Sequence, residues 1–307
     1  MTTPDKLEFA VTLPVFDSLL GGIPPVQRSA RLAEDLGFDS VWAGDHLFFH
    51  RPNHECIVAL AAAAGATESI GLGAGVLLPA LREPVALAKQ LTTLCHVSDG
   101  RFLLGVGVGG EYGPEWEAVG VDPRERGART DDFLEYFDTV LQGASTDFHG
   151  RHLRVTTPAM LPPPSRRPPV WVGGRSDAAL RRAVRHGDGW LSVWSSPRRI
   201  AAAREDLARV AEEENGPVPR LGLVVFCNVG APEKALEEGR AFVEGHYALS
   251  FEKMEKWFLT GEPDAIAERL LAYREAGVSL FMLYPGTRDP SSQFEAVREV
   301  AELVRTG

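Results

Sequence analysis

His46, preceded by Asp45 in the run SVWAGDHLFF, is the side chain in this sequence best suited to proton chemistry. An imidazole exchanges protons near neutral pH and a neighbouring carboxylate tunes the exchange, so a His closing a strand is a candidate general acid or base. The same pair would equally make a hydrogen-bonded strand end. His46, His50 and His54 recur every four residues, a spacing that suits metal ligation on a helix. Pro52 breaks any helix through them, and the first strand lacks a His-x-His, so no metal site is expected.

Glycines carry the second signal. Residues 105–110 read GVGVGG, the letters of a dinucleotide fingerprint, but EYGP follows where a helix should open, so that reading fails on context. Such glycines still allow backbone to lie against a ligand. Glycines recur at 71, 73 and 75, and again as Gly173-Gly174-Arg175-Ser176, which opens the helical pattern SDAALRRAVRHG. Backbone N–H groups at a helix start, beside a guanidinium, make a phosphate cradle; the plainer reading is an N-cap by Ser176 or Asp177. Arg124, Arg126 and Arg129 are surface cations, with anion binding or anchoring of a loop as alternatives. Trp42 and Trp190 read as core, and Phe48, Phe49 and Trp194 as residues able to line a pocket.

Eight apolar runs must position these groups. They begin near Leu7, Asp39, Ile70, Arg101, Pro169, Asp188, Leu221 and Val278. Each is apolar almost throughout, as expected of parallel strands covered on both faces. Amphipathic stripes lie between them: Val26, Ala30, Ala33 and Leu36; Leu87, Leu91, Leu94 and Cys95; Phe133, Tyr136, Phe137, Val140 and Leu141; Phe294, Val297, Ala301 and Val304. Pro84 and Pro290 suit helix starts, Gly37 and Gly277 helix ends. The first four runs start about one βα unit apart. The surplus chain falls in 110–168, with its Pro-rich tract, and in 239–263. The pattern is that of a (β/α)8 TIM barrel, expected as a single domain over 1–307 with those two insertions; a doubly wound sheet is the alternative. In a barrel, His46 and the glycine clusters fall on the C-terminal face of the strands, where active sites lie.

The 307 residues are 44% hydrophobic and 24% charged, an ordinary globular composition. A net charge of −10 argues against nucleic acid as a partner, and no run is long enough to span a membrane. With no signal-peptide pattern and three scattered cysteines (Cys56, Cys95, Cys227) in apolar runs, reduced core thiols and a cytoplasmic location are expected.

Four segments, taken together, resemble the bacterial luciferase-like flavin- and deazaflavin-dependent oxidoreductases: ARLAEDLGFDSVWAGDH, ATESIGLGAGVLLPALREPVALAKQLTTLCHVSDGRFLLGVGVGG, EWEAVGVDPRERGARTDDFLEYF and PPVWVGGRSDAALRRAVRHGDGWL. The resemblance spans the whole chain and implies a barrel whose mouth holds the ring of a flavin or deazaflavin. It implies a bulge with a non-prolyl cis peptide at Gly75-Val76 behind that ring, and a phosphate tail running toward Val108, Gly109, Gly173, Gly174, Arg175 and Ser176. The Asp45-His46 pair looks like that of the coenzyme F420 branch, with His46 near the hydride-transfer centre; the FMN monooxygenases of the family more often carry Glu-His-His. The resemblance thus implies F420, with FMN, oxygen and a separate reductase as the alternative, and a non-catalytic flavin-binding protein as a third reading. The family's sugar-phosphate dehydrogenases place a Glu directly after G-V-G-x-G; here Gly110 stands there and Glu111 follows, which puts a second acid/base and that substrate class in question. Family members pair through helices beside the second and third strands, and HECIVALAAAAGA suits close packing in a homodimer.

Overall fold

The computed structural model describes residues 6–17, 21–110 and 112–307. Its elements follow in chain order: β1 (Glu8–Thr12), α1 (Val26–Asp35), β2 (Ser40–Ala43), α2 (Cys56–Ala64), β3 (Gly71–Leu77), α3 (Pro84–Val97), β4 (Phe102–Val106), α4 (Gly113–Val119) and α5 (Arg126–Val140). A hairpin of β5 (Thr146–His149) and β6 (Arg154–Thr157) precedes β7 (Val170–Gly173), α6 (Asp177–His186), β8 (Gly189–Val193), α7 (Pro197–Glu214) and β9 (Arg220–Val229). The chain ends with α8 (Pro232–Tyr247), β10 (Phe258–Gly261), α9 (Pro263–Glu275), β11 (Val278–Pro285) and α10 (Phe294–Thr306).

The eight anticipated strands form a closed parallel barrel in the order β1-β2-β3-β4-β7-β8-β9-β11, sealed where Glu8 to Val11 pair with Leu280 to Leu283. The first surplus segment supplies α4, α5 and the antiparallel β5–β6 hairpin. The second supplies β10, which runs parallel to the outer half of β9, pairing from Phe226 to Val229. β8 reaches only Val224, so β9 projects past it and carries β10 on the exposed edge.

The amphipathic stripes are buried as their spacing requires. Leu87, Leu91, Leu94 and Cys95 of α3 and Phe294, Val297, Ala301 and Val304 of α10 sit in the outer core between helices and barrel. Pro84 opens α3, whereas Pro290 opens a short 3-10 turn and α10 starts four residues later. Inside the barrel Ala10, Trp42, Trp171, Leu191, Leu280 and Met282 form a separate core. Two glycines exist to admit its indoles: a Cβ on Gly73 would lie 2.2 Å from the Trp42 ring, and one on Gly189 2.2 Å from Trp171. Below this layer, at the N-terminal ends of the strands, the loops are pinned by charged side chains. Arg101 donates to the carbonyl oxygens of Ala64, Thr67, Ile70 and Ser98, and Glu34 accepts from the N–H groups of Glu68, Ser69 and Ile70. Fixing the closed end in this way leaves the opposite rim free for chemistry.

The three cysteines are buried free thiols, and burial pushes Cys95 and Cys227 up to about 12, so neither yields a thiolate at neutral pH. No helix among the described residues is long and apolar enough to cross a membrane.

Candidate active site

A cavity of about 330 Å³ opens at the C-terminal ends of the strands. His46, Asp45, Gly75, Val76, Val108, Gly109, Gly173, Gly174 and Arg175 all line it. Ser176 does not: its hydroxyl accepts the Ala179 N–H and caps α6, so at that position the plainer reading holds. Phe49 and Trp194 line the cavity, but Phe48 is 54% exposed and faces away from it.

Asp45 and His46 lie just past the end of β2 and are engaged by different elements. The Asp45 carboxylate, fully buried, accepts both terminal nitrogens of Arg82 at 2.7 Å and the Leu78 N–H at 2.8 Å. Arg82 also donates to Glu55 at 2.7 Å. Burial raises the Asp45 carboxyl; it also acts to lower Arg82, but Asp45 and Glu55 outweigh it and leave that guanidinium above its ordinary value. The bidentate contact holds the pair in its ionic form. This bridge ties the end of β2 to the segment after β3 and fixes where His46 begins.

His46 finds a partner that local sequence did not suggest. Its Nδ1 lies 3.1 and 3.3 Å from the two carboxylate oxygens of Glu115, which also accept the Leu47 N–H at 3.3 Å. Glu115 is wholly buried in the first turn of α4, beside the buried Trp116. An ionised carboxylate only accepts, so it selects the tautomer with the proton on Nδ1 and leaves Nε2 available for proton exchange in the cavity. The Phe49 ring stacks on the imidazole at 4.3 Å and restricts its rotation. Glu111 lies outside the described residues.

The glycines divide by cause. The register between β3 and β4 shifts after Ala74, where the peptide Gly75-Val76 is cis, at the position the resemblance implied. Val76 thereby sits under the cavity floor. A Cβ on Gly105 would approach the Ala74 carbonyl oxygen to 2.1 Å, and one on Gly107 the Val76 Cγ2 to 2.4 Å, so these two are demanded by packing. Gly109 (φ 60°) and Gly174 (φ 123°) hold backbone conformations that L side chains rarely adopt. Among the glycines that line the cavity, only at Gly173 would a Cβ meet nothing closer than 3.4 Å, so there a side chain could be accommodated at ordinary contact distance.

The opposite half of the cavity is aromatic. Phe226 of β9 pairs in register with Phe258 of β10 on one side and Tyr284 of β11 on the other. By the two-residue strand period Val224 and Met282 face the cavity beneath them. Trp194 directly follows β8, and His246 with Tyr247 descend from the end of α8. None of these apart from Trp194 was singled out from sequence, because nothing local marks which end of an inserted helix returns to the mouth.

His246 is only 4% exposed, its ring 4.7 Å from Phe16 and 5.0 Å from Phe242. Burial, with the positive fields of His46, Arg51 and His50, lowers its pKa to about 3. The sign is clear. Above pH 6.5 the ring is neutral whether the chain is folded or not. Below that the unfolded chain takes up a proton that the folded one refuses, so stability falls with pH by about 1.4 kcal/mol per unit until pH 3. Urea unfolding of the wild type and His246→Phe should therefore show the wild type losing about 2 kcal/mol more between pH 7 and pH 5; equal losses would show that His246 titrates normally.

Among the described residues no group of three or more His, Cys, Asp or Glu side chains is placed to hold a metal. Of the three arginines near α5, Arg124 pairs with Asp122 and Arg129 with Glu125, while Arg126 donates to the Pro123 carbonyl and lies against Gly110. These bonds reach no further than four residues along the chain.

A parallel barrel with a cis peptide in a bulged third strand behind its mouth is the arrangement that the resemblance implied. The family model for luciferase-like monooxygenases matches residues 11–280, and the chain belongs to that family. An uncharacterized protein of Mycobacterium tuberculosis is 33% identical over 169 residues, 55% of this chain; the match spans only 58% of that relative's length. The F420-dependent glucose-6-phosphate dehydrogenase of Beutenbergia cavernae is 28% identical over 305 residues, covering 87% of this chain and 89% of that one. Among solved structures, an F420-dependent secondary alcohol dehydrogenase in complex with an F420-acetone adduct aligns with a TM-score of 0.83 at 19% identity, over 98% of this chain and 99% of that one. A monooxygenase from Streptomyces bottropensis aligns with the same TM-score at 22% identity and the same coverage. The fold is therefore that of both kinds of luciferase-like enzyme.

Proposed function

We propose that the protein is an F420-dependent oxidoreductase acting on a small organic substrate. The observation that carries this reading is His46, oriented by the buried Glu115, at the mouth of a cavity whose other side is a glycine-walled floor. The residues present fit a deazaflavin. Gly173 leaves space above Val76, and Arg175, exposed and with no hydrogen bond or ion pair among the described residues, offers a cation for an anionic tail. The F420-dependent relatives support it as well.

When bound, the deazaflavin would supply a two-electron hydride transfer and leave proton handling to the protein. Nε2 of His46 would give a proton to the substrate oxygen or take one from it. Glu115 would keep the imidazole in one tautomer and stabilise its charged form. Asp45 and Arg82 would hold the β2 end against β3, so that the imidazole does not drift from the floor. Phe49, Trp194 and Phe226 would exclude water from the proton-transfer site.

Titration with F420 and FMN, followed by cofactor fluorescence, tests the reading. F420 should bind at lower concentration than FMN. Preference for FMN would instead point to a reduced-flavin monooxygenase served by a separate reductase, and binding of neither would remove the cofactor reading. Arg175→Ala should weaken F420 binding about tenfold without lowering the melting temperature; unchanged affinity would place the tail elsewhere.

A further inference from the structure

We infer that the substrate is an uncharged, largely apolar carbonyl compound, such as an aryl ketone or a conjugated enone, and not a phosphorylated or carboxylated metabolite. This rests on the F420 reading for one point only, that the glycine side of the cavity is taken by the cofactor and the aromatic side is left to the substrate.

The aromatic side is built from rings in mutual contact. Phe226 stacks with Tyr284 at 4.8 Å and with Trp194 at 6.3 Å, and Tyr247 stands edge-on to both Phe226 and Trp194. Faces and edges of this kind favour a flat hydrocarbon body. The charged groups at the cavity are spoken for or remote. Asp45 is closed onto Arg82. Arg175 stands beyond Gly174 on the glycine side. Arg51, whose positive field reaches His246, is ion-paired with Asp17 at 2.7 Å. His246 stays neutral at physiological pH. Among the described residues no cation is therefore left on the aromatic side to neutralise a phosphate or carboxylate, and an unpaired buried anion is strongly disfavoured. A sugar would fare little better, since most of its hydroxyls would face rings and lose their hydrogen bonds to water.

The polar groups that remain are few. They are His46 Nε2, the Trp194 Nε1–H, buried and without a hydrogen-bond partner among the described residues, the Tyr284 hydroxyl, for which burial raises the pKa and keeps the proton in place, and the His246 ring. They suit one carbonyl oxygen on an otherwise apolar molecule.

Calorimetric titration of the F420-loaded protein with three probes tests this: benzalacetone, its carboxylate counterpart cinnamate, and glucose 6-phosphate. Benzalacetone should bind at least about tenfold more tightly than cinnamate at pH 7.5, and glucose 6-phosphate should give no binding heat. Phe226→Ala and Tyr247→Leu, each checked for an intact melting transition, should weaken benzalacetone by about tenfold. The inference is overturned if cinnamate or glucose 6-phosphate binds as well as benzalacetone, if benzalacetone does not bind, or if both variants bind it like the wild type. The cofactor is read separately by F420 fluorescence, so loss of the F420 reading and loss of this one give different results.

Discussion

His46→Ala is expected to lower turnover by about 10²–10⁴ while leaving F420 affinity near its wild-type value, with some loss of stability because the buried Glu115 carboxylate loses its partner. The imidazole lines the cavity at 14% side-chain exposure and bonds to Glu115 through Nδ1, so its loss removes a proton carrier more than a structural support. Glu115→Gln should follow with a loss of about 10²-fold in kcat and a smaller change in KM. The amide keeps the shape of the carboxylate, but it no longer compensates a charged imidazole and its NH₂ competes for the Nδ1 position. Because Glu115 acts through His46, the double variant should be little worse than His46→Ala alone. Additive losses would show that Glu115 has a separate task, and unchanged turnover in His46→Ala would remove the proton-transfer role.

Gly105→Ala is expected to cost about 3 kcal/mol or more of stability, or to prevent folding. The atom in the way is the Ala74 carbonyl oxygen, 2.1 Å from the added Cβ, and it belongs to β3, which is held between β2 and β4 in a closed barrel. Backbone enclosed on both sides has no direction in which to yield. Gly173→Ala makes the contrast, since its Cβ would meet Val76 and the Val106 carbonyl oxygen at ordinary contact distances of 3.4 and 3.5 Å and should cost affinity for cofactor with little change in stability. The urea midpoints and F420 titrations of the two variants should therefore move in opposite patterns; a stable Gly105→Ala would mean that β3 and β4 are less tightly seated than their register implies.

These two variants also mark the limits of reading the sequence. Strand number, the helix faces and the rim positions of His46 and Gly173 were legible because period and spacing are local properties, while the place of Val76 came from the family resemblance. The meaning of most glycines was not. The sequence shows that Gly105, Gly107, Gly109 and Gly110 lack side chains; whether the space is filled by Val76, by backbone or by a ligand is decided by register with β3. Glu115 was missed for a related reason. Nothing in the segment GPEWEAV sets Glu115 apart from Glu117, and only the return of α4 to the end of β2 makes it a buried partner of a histidine 69 residues away. Asp45, adjacent to His46 and the natural choice for that part, is committed to Arg82.

The projection of β9 beyond β8 has a bearing on how such a protein diversifies. Phe226 stands where β9 has run past β8 and β10 has taken its place, so the part of the aromatic wall nearest β10 hangs on a ledge beyond the eight-strand ring. Exchanging the stretch from α8 to β10 rewrites that ledge without touching the seam that closes the ring between β1 and β11. Selectivity and foldability are thus written into different parts of the polypeptide. Transplanting residues 231–262 between relatives is accordingly a direct route to altering what this catalyst accepts.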